Sequence, residues 1–239
     1  PREDMVYFGD TARVPYGTKS PQAIIKFSQQ NARVLIAEGV KAIVIACNSS
    51  SSYALELLQK EFPLPIIGVI QPGVNKALKV TKTNRIGVVA TPATIRSLSY
   101  QNALTRADSS CRVFGQACPL FVPLVEEGWF THAVTRQVAQ EYLKKMKANR
   151  IDTLILGCTH YPLLKGILQK VMGPSVALID SAQEVACELQ KLLCAQDLLC
   201  SGRKAKGQCR FLVSDEPAHF QRLAKRFLGE DIPTVKKLF

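Results

Sequence analysis

Two cysteines stand in matching surroundings. Lys41-Ala42-Ile43-Val44-Ile45-Ala46-Cys47-Asn48-Ser49 and Asp152-Thr153-Leu154-Ile155-Leu156-Gly157-Cys158-Thr159-His160 share one layout. Each runs through a buried-strand pattern, a small residue, a cysteine and two polar residues into a helical stretch. The end of a parallel strand, just before a helix, is where α/β folds place ligand chemistry. A thiol there lies near a helix N-terminus, whose partial positive charge favours thiolate over thiol. Nearby hydroxyls and backbone N–H groups can hold a carboxylate. Two such thiols facing each other across a cleft suit the inversion of a stereocentre: one thiolate removes an α-proton and the opposite thiol returns a proton to the other face. With a free-thiol pKa of about 8.5, modest tuning leaves one group charged and the other neutral near neutrality. The plainer alternative is two small core residues, since free cysteine is often buried; a matched pair in polar strand-end settings weighs against it. Other thiol chemistries fit less well. A phosphatase loop wants Arg six residues past the cysteine, where Tyr53 and Leu164 stand, and a thiol protease built on Cys158 and His160 leaves Cys47 without a task.

The elements that must position these residues alternate between strand and helix. Ser20-Pro21 supplies an N-cap and a first-turn proline for a helix carrying Ile24, Phe27, Val34 and Leu35, which Gly39 stops. Ala42 to Ala46 reads as a strand buried on both faces. A helix from Ser51 to Phe62 and a strand from Ile66 to Ile70 follow, and Arg85 to Ala90 begins the cycle again. Val138, Tyr142 and Met146 line one side of a Lys-rich helix. Thr153 to Leu156 is a strand, and Leu164, Ile167, Leu168 and Val171 mark a helix ended by Gly173-Pro174. Val176 to Ile179 and Phe211 to Val213 read as strands, the latter followed by an amphipathic helix near Ala218 to Leu228. Cys200 to Gln208 is the most loop-like stretch. Such alternation argues a parallel sheet covered by helices on both faces. The likeness of the two cysteine segments, 111 positions apart, makes an internal duplication plausible.

Composition narrows the class. A chain of 239 residues and 26.3 kDa, 47% hydrophobic and 21% charged, has the make-up of a folded globular protein and not of a disordered one. Its apolar runs are strand-length, far short of a membrane span, and Pro1-Arg2-Glu3-Asp4 does not open a signal peptide. Net charge is +12. The basic residues cluster at Lys144, Lys145, Lys147 and Arg150, and from Ser201 to Phe239, where nine basic stand against four acidic residues. Neither cluster is interleaved with aromatics as a single-strand platform would be, so the expectation is a solvated face and no nucleic-acid partner. The eight cysteines include no C-x-x-C pair, which removes support for zinc ribbons and thioredoxin-type motifs. They are expected to be free thiols in a reducing compartment. Irregular spacing argues against a metal at Cys194, Cys200 and Cys209, and no dinucleotide or Walker fingerprint is present. No metal and no cofactor are expected.

Further motifs follow one another in order. They are Val6-Tyr7-Phe8-Gly9-Asp10-Thr11-Ala12-Arg13-Val14-Pro15-Tyr16-Gly17, Ala46-Cys47-Asn48-Ser49, Gly68-Val69-Ile70-Gln71-Pro72-Gly73 and Thr91-Pro92-Ala93-Thr94. Ala117-Cys118-Pro119-Leu120, Val122-Pro123-Leu124-Val125-Glu126, Leu156-Gly157-Cys158-Thr159-His160-Tyr161-Pro162 and Ile179-Asp180-Ser181-Ala182 continue the series. In these the chain resembles the glutamate racemases of the cofactor-independent aspartate/glutamate racemase family, which supply D-glutamate for peptidoglycan. The resemblance spans nearly the whole chain. It implies that Cys47 and Cys158 are the two catalytic acid/bases and that Glu126 and His160 assist Cys158. It also implies that Tyr16, Gly17, Asn48, Ser49, Thr91, Thr94, Thr159 and His160 line the amino-acid site. Taken singly these residues have blander readings: Glu126 a helix-start carboxylate, Thr91 and Thr94 a cap, Tyr16-Gly17 a turn. The family usually has Asn-Thr after the first cysteine, where Asn48-Ser49 keeps the hydroxyl.

The implied fold is two doubly wound, mostly parallel-sheet α/β domains with the active site in the cleft between them. Residues 1–70 plus 181–239 would form a discontinuous first domain and 71–180 the second, with crossings at Val69 to Gly73 and Ile179 to Ala182. The partner is expected to be a small molecule, glutamate, with no membrane; family members are often dimers, so a homodimer in the bacterial cytoplasm is the expectation. The family's opening strand, Asp-Ser-Gly loop and helix have no counterpart in this sequence, so the 239-residue chain by itself is expected to be weakly soluble and nearly inactive. The readings left open are a racemase for aspartate or a related acid, and a non-catalytic amino-acid-binding relative.

Overall fold

The computed structural model describes residues 2–201 and 206–238. Along the chain run β1 (Met5–Gly9), α1 (Pro21–Ala37), β2 (Ile43–Ile45), α2 (Asn48–Glu61), β3 (Ile66–Gly68), α3 (Ile70–Val80), β4 (Arg85–Ala90), α4 (Pro92–Arg96) and α5 (Ser99–Ala107). There follow β5 (Arg112–Ala117), α6 (Phe121–Glu126), α7 (Ala133–Ala148), β6 (Thr153–Gly157), α8 (Lys165–Met172), β7 (Ala177–Ile179), α9 (Ala182–Ala195), β8 (Cys209–Val213), α10 (Pro217–Leu228) and β9 (Val235–Lys237). Short 3-10 turns cover Tyr16–Thr18 and Tyr161–Leu164.

Every strand pairing among the described residues is parallel, as the strand–helix alternation predicts. The largest sheet has order β5-β4-β6-β7. Side chains of a strand alternate between faces, and both faces of this sheet are apolar. Val89, Leu154 and Leu156 join Leu143, Met146, Leu168 and Val171 of α7 and α8 on one side. Val88 and Ile155, which pair in register, join Val74, Ala77, Tyr100 and Leu104 of α3 and α5 on the other. Each fully buried aliphatic side chain contributes about 1.5–3 kcal/mol of transfer free energy, so this sheet is the rigid floor beneath Cys158. The other strands form a β1-β8-β9 sheet and a β2-β3 pair, the latter backed by Ala32 of α1 and by Ala54 and Leu58 of α2. Among the described residues no helix is long and apolar enough to cross a membrane.

The predicted helix start at Ser20-Pro21 holds, with the Ser20 hydroxyl accepting from the Ala23 amide at 3.2 Å. Several strand and helix ends shift by a residue or two, and three of the differences have a physical reason. Helix α2 begins at Asn48 and not at Ser51, because the serine run lies on its buried face. The strand expected through Ile70 stops at Gly68, since Ile70 already opens α3. Glu126 closes α6 and does not start a helix. Part of the expected Cys200 to Gln208 loop, residues 202–205, lies outside the described residues.

Candidate active site

At the first cysteine, strand, thiol and helix follow without a spacer. β2 ends at Ile45, and Cys47 is the N-cap residue of α2, extended at φ −74° and ψ 122°, its carbonyl accepting from the Ser51 amide at 2.9 Å. The thiol is half-buried and points off a helix start, as its spacing predicts. The first turn of α2 then buries Asn48 and Ser49. The Asn48 carbonyl oxygen accepts from the Tyr100 hydroxyl at 2.7 Å. The Ser49 hydroxyl lies 2.9 Å from that of Thr91 and 3.1 Å from that of Thr94, and these two are 3.2 Å apart.

Three buried hydroxyls thus form a triangle at the start of α2. Thr91 occupies the N-cap position of α4, yet its side chain makes no cap bond, so the capping alternative fails there. Gly17 closes the triangle from outside: a Cβ at this position would stand 2.5 Å from Thr91 Cβ, so only glycine permits the approach. The turn holding Gly17 is anchored through Tyr16, whose hydroxyl donates to Asp10 and accepts from Asn31 Nδ2 at 3.0 Å. Arg13 Nε, 2.8 Å away, and Ser214 Oγ, 3.2 Å away, complete the partners of the buried Asp10 carboxylate. Burial and the hydrogen bond to Asp10 raise the Tyr16 phenol's pKa, keeping it a neutral donor.

The second cysteine departs from its expected setting. Cys158 follows β6 directly, but next come Thr159, His160 and a 3-10 turn containing Pro162; α8 starts only at Lys165. The helix that follows this thiol therefore starts too late for Cys158 to cap it, and the thiol's pKa moves upward, which makes Cys158 the neutral member of the expected charged-and-neutral pair. Burial, at 7% exposure, pushes it up to about 12, and negative charge on Cys47 and Glu126 adds to the rise. The backbone amides of His160 and Tyr161 act in the opposite direction. At neutral pH Cys158 is a thiol.

What this thiol has instead of a helix is an imidazole and a carboxylate. His160 Nδ1 lies 3.9 Å from Cys158 Sγ and 3.4 Å from Thr159 Oγ1, and His160 Nε2 lies 3.3 Å from Glu126 Oε1. A carboxylate at Nε2 favours the tautomer protonated there, which leaves Nδ1 as an acceptor facing the sulfur. The three groups form a line along which a proton can leave or return to Cys158. Tyr161 fixes the turn behind it by donating to the Cys118 carbonyl at 2.7 Å.

The structure gathers the expected residues into two groups: Tyr16, Gly17, Asn48, Ser49, Thr91 and Thr94 beside Cys47, and Thr159, His160 and Glu126 beside Cys158. Tyr100 joins them, bonded to Asn48 and raised in pKa chiefly by burial. Asp10 and Tyr100 are the supporting residues that sequence reasoning missed. Asp10 lay inside a quoted motif with Arg13 three residues on; nothing local marks Tyr100, whose partner is 52 positions away in the chain. Among the described residues, no group of three or more His, Cys, Asp or Glu could hold a metal ion.

Parallel α/β sheets carrying a thiol at the end of each of two strands, with an imidazole and a carboxylate beside one of them, fit the class of racemase-type isomerases. Comparison with known proteins makes the family explicit. The Asp/Glu/hydantoin racemase pattern matches residues 2–189. A glutamate racemase of Syntrophus aciditrophicus is 45% identical over 238 residues, 100% of this chain and 88% of its own length. One from Geobacter metallireducens is 46% identical over 235 residues, 98% of this chain and 87% of its own. Among solved structures, a glutamate racemase of Bacillus anthracis superposes with a TM-score of 0.95 at 37% identity, covering 100% of this chain and 89% of that one. The Francisella tularensis glutamate racemase, solved with D-glutamate, gives 0.92 at 38% identity over the same shares. The chain belongs to the Asp/Glu/hydantoin racemase family, and its fold is that family's pair of α/β domains.

Proposed function

We propose that this chain is a glutamate racemase that interconverts L- and D-glutamate through two cysteines and no cofactor, feeding D-glutamate to peptidoglycan synthesis. The observation that carries the mechanism is the bridge that Tyr100 makes between the two strand ends: its hydroxyl donates to Asn48, next to Cys47, at 2.7 Å, and its ring lies 3.1 Å from where a Cβ on Gly157, next to Cys158, would stand. In this reading the amino acid lies between the two thiols. Its polar groups meet the Ser49, Thr91 and Thr94 hydroxyls, Asn48, Thr159 and the Tyr16-Gly17 turn. In one direction Cys47 as thiolate takes the α-proton and Cys158, already a thiol, delivers a proton to the opposite face. In the other direction His160, backed by Glu126, draws the proton from Cys158 so that its thiolate can act as the base. The β1–β8 pairing supports a discontinuous first domain of 1–70 plus 181–239, with 71–180 as the second. The cytoplasm is the proposed compartment, in keeping with eight unpaired cysteines, and a homodimer the proposed assembly.

The test is deuterium incorporation at Cα in heavy water, followed for glutamate and for aspartate. Glutamate should exchange and racemise well ahead of aspartate. Cys47→Ala and Cys158→Ala should each lower the rate by at least the roughly hundred- to ten-thousand-fold that a positioned acid or base supplies. Near wild-type turnover in either variant would refute the two-thiol reading, and faster exchange of aspartate would change the substrate.

A further inference from the structure

Helix α10 lies far from Cys158 in sequence, between β8 and β9, yet two of its residues reach the proton-carrying pair beside that thiol. The Phe227 ring meets the His160 imidazole edge-on, with centroids 5.6 Å apart and planes at 90°. This is a preferred aromatic geometry, and it leaves both ring nitrogens free for Cys158 and Glu126. Phe227 also packs, half-buried, against the cluster that contains Cys158 and Tyr161. One residue earlier, Arg226 Nη1 donates to the backbone carbonyl of Glu126 at 3.1 Å. That carbonyl belongs to the last residue of α6, where an orphan acceptor and the negative end of the helix both favour a guanidinium. The chain then turns at Gly128, φ +78°, where a Cβ would stand 2.9 Å from Arg226 Nη1, so the guanidinium fills the space a side chain would take. One helix therefore fixes both the imidazole and the end of the segment carrying the carboxylate.

We propose that Phe227 and Arg226 are positioning residues for the Cys158 half-site, holding His160 and Glu126 in line with the sulfur. The inference rests on the reading that His160 serves Cys158. Because α10 follows β8 of the β1-β8-β9 sheet, whereas His160 and Glu126 follow β6 and β5, the contact spans the two sets of strands.

A structural contact and a positioning contact differ in which proton they affect. The readout is elimination from the two Cα epimers of a glutamate analogue with a leaving group at Cβ. A base removes the α-proton, the electron pair forms the double bond, and the leaving group departs as its anion, so each isomer reports one thiol. Phe227→Ala should slow elimination from the Cys158-dependent isomer by roughly ten- to a hundredfold, the scale on which ångström misplacements act. KM and the other isomer should stay within about twofold, since only one half-site is displaced. Phe227→Tyr, which keeps the ring, should restore the rate, and Arg226→Gln should give a smaller defect of the same selectivity. In a His160→Asn background, Phe227→Ala should cost nothing further. Equal slowing of both isomers, or undiminished effects in the double variant, would overturn the proposal. If His160→Asn itself leaves both isomers at wild-type rates, the reading of His160 falls and the proposal with it. Should Phe227→Ala not fold, judged by its circular dichroism, Phe227→Leu and Arg226→Gln decide the matter on the same readout.

Discussion

The two cysteine segments share one sequence layout and end in different surroundings. Cys47 caps α2 directly, with a fixed triangle of hydroxyls behind it, and among the described residues no side chain hydrogen-bonds its sulfur. Cys158 is buried ahead of a 3-10 turn, its pKa pushed up to about 12, with an imidazole and a carboxylate lined up beside it. The difference follows from a few residues. After Cys47 the chain enters a helix at once, so the turn's small polar side chains are turned inward. After Cys158, His160 and Pro162 delay the helix, which leaves room for a side-chain relay in place of a dipole. On the proposed reading this contrast is a division of labour, in which the first half-site would hold the amino acid and the second would carry the machinery for moving a proton.

That contrast can be broken at several points. The largest effect is expected for His160→Asn. It should slow the proton step that starts at Cys158 by roughly a hundred- to ten-thousand-fold and leave the step that starts at Cys47 far less affected. One-sided hydrogen exchange measured from each enantiomer reads both; equal loss from both would erase the contrast. A smaller effect is expected at Gly17. Gly17→Ala places a Cβ against Thr91, and overpacking of this kind costs about 1–3 kcal/mol, so KM should rise by roughly tenfold with less change in kcat. A kcat defect without a KM change would move the hydroxyl triangle from binding to chemistry.

The smallest effect concerns stability in alkali. The Cys158 thiol is raised from an ordinary 9.0 to about 12 in the fold, so the folded protein favours its neutral form. The stability this contributes is complete below about pH 9 and is lost as the pH rises through about 12. Cys158→Ala should therefore unfold with a shallower pH dependence between those limits, measured by denaturant titration. Part of the slope should persist, because burial also raises Cys118, Tyr100 and Tyr161. An unchanged slope would mean that the thiol is not desolvated.

The buried strands were the most legible part of the fold. β4 runs from Arg85 to Ala90 as its apolar pattern predicts, and β2 and β6 differ from prediction by a residue or so at their ends. Both faces of β4 and β6 are covered, so their pattern needs no knowledge of register. Strand β2, expected to be buried on both faces, buries Ile43 and Ile45 on one face and leaves Val44 half-buried and Ala46 exposed on the other. Sequence patterning marked no strand at β1, β5 or β9, each of which pairs along one edge only. The break between α4 and α5 was equally hidden, since it rests on Leu98 at φ +55°, a conformation its residue type does not announce. At the site, local chemistry was legible and long-range support was not. The two thiols and the hydroxyl residues announce themselves by order and spacing. The partners of Asp10 include Ser214, which only the pairing of β1 with β8 brings near. The upward shift of Cys158 was also out of reach, because a strand, a cysteine and two polar residues do not say whether an α-helix or a 3-10 turn comes next.

The central claim is that one thiol serves each face of the substrate carbon. The most direct measurement pairs Cys47→Ser and Cys158→Ser with the two Cα epimers of a glutamate analogue bearing a leaving group at Cβ, and follows elimination from each. Complementary defects are expected: each variant slows one isomer by roughly a hundredfold or more and leaves the other within a few-fold. Equal defects on both isomers would mean a single shared base and would contradict the claim.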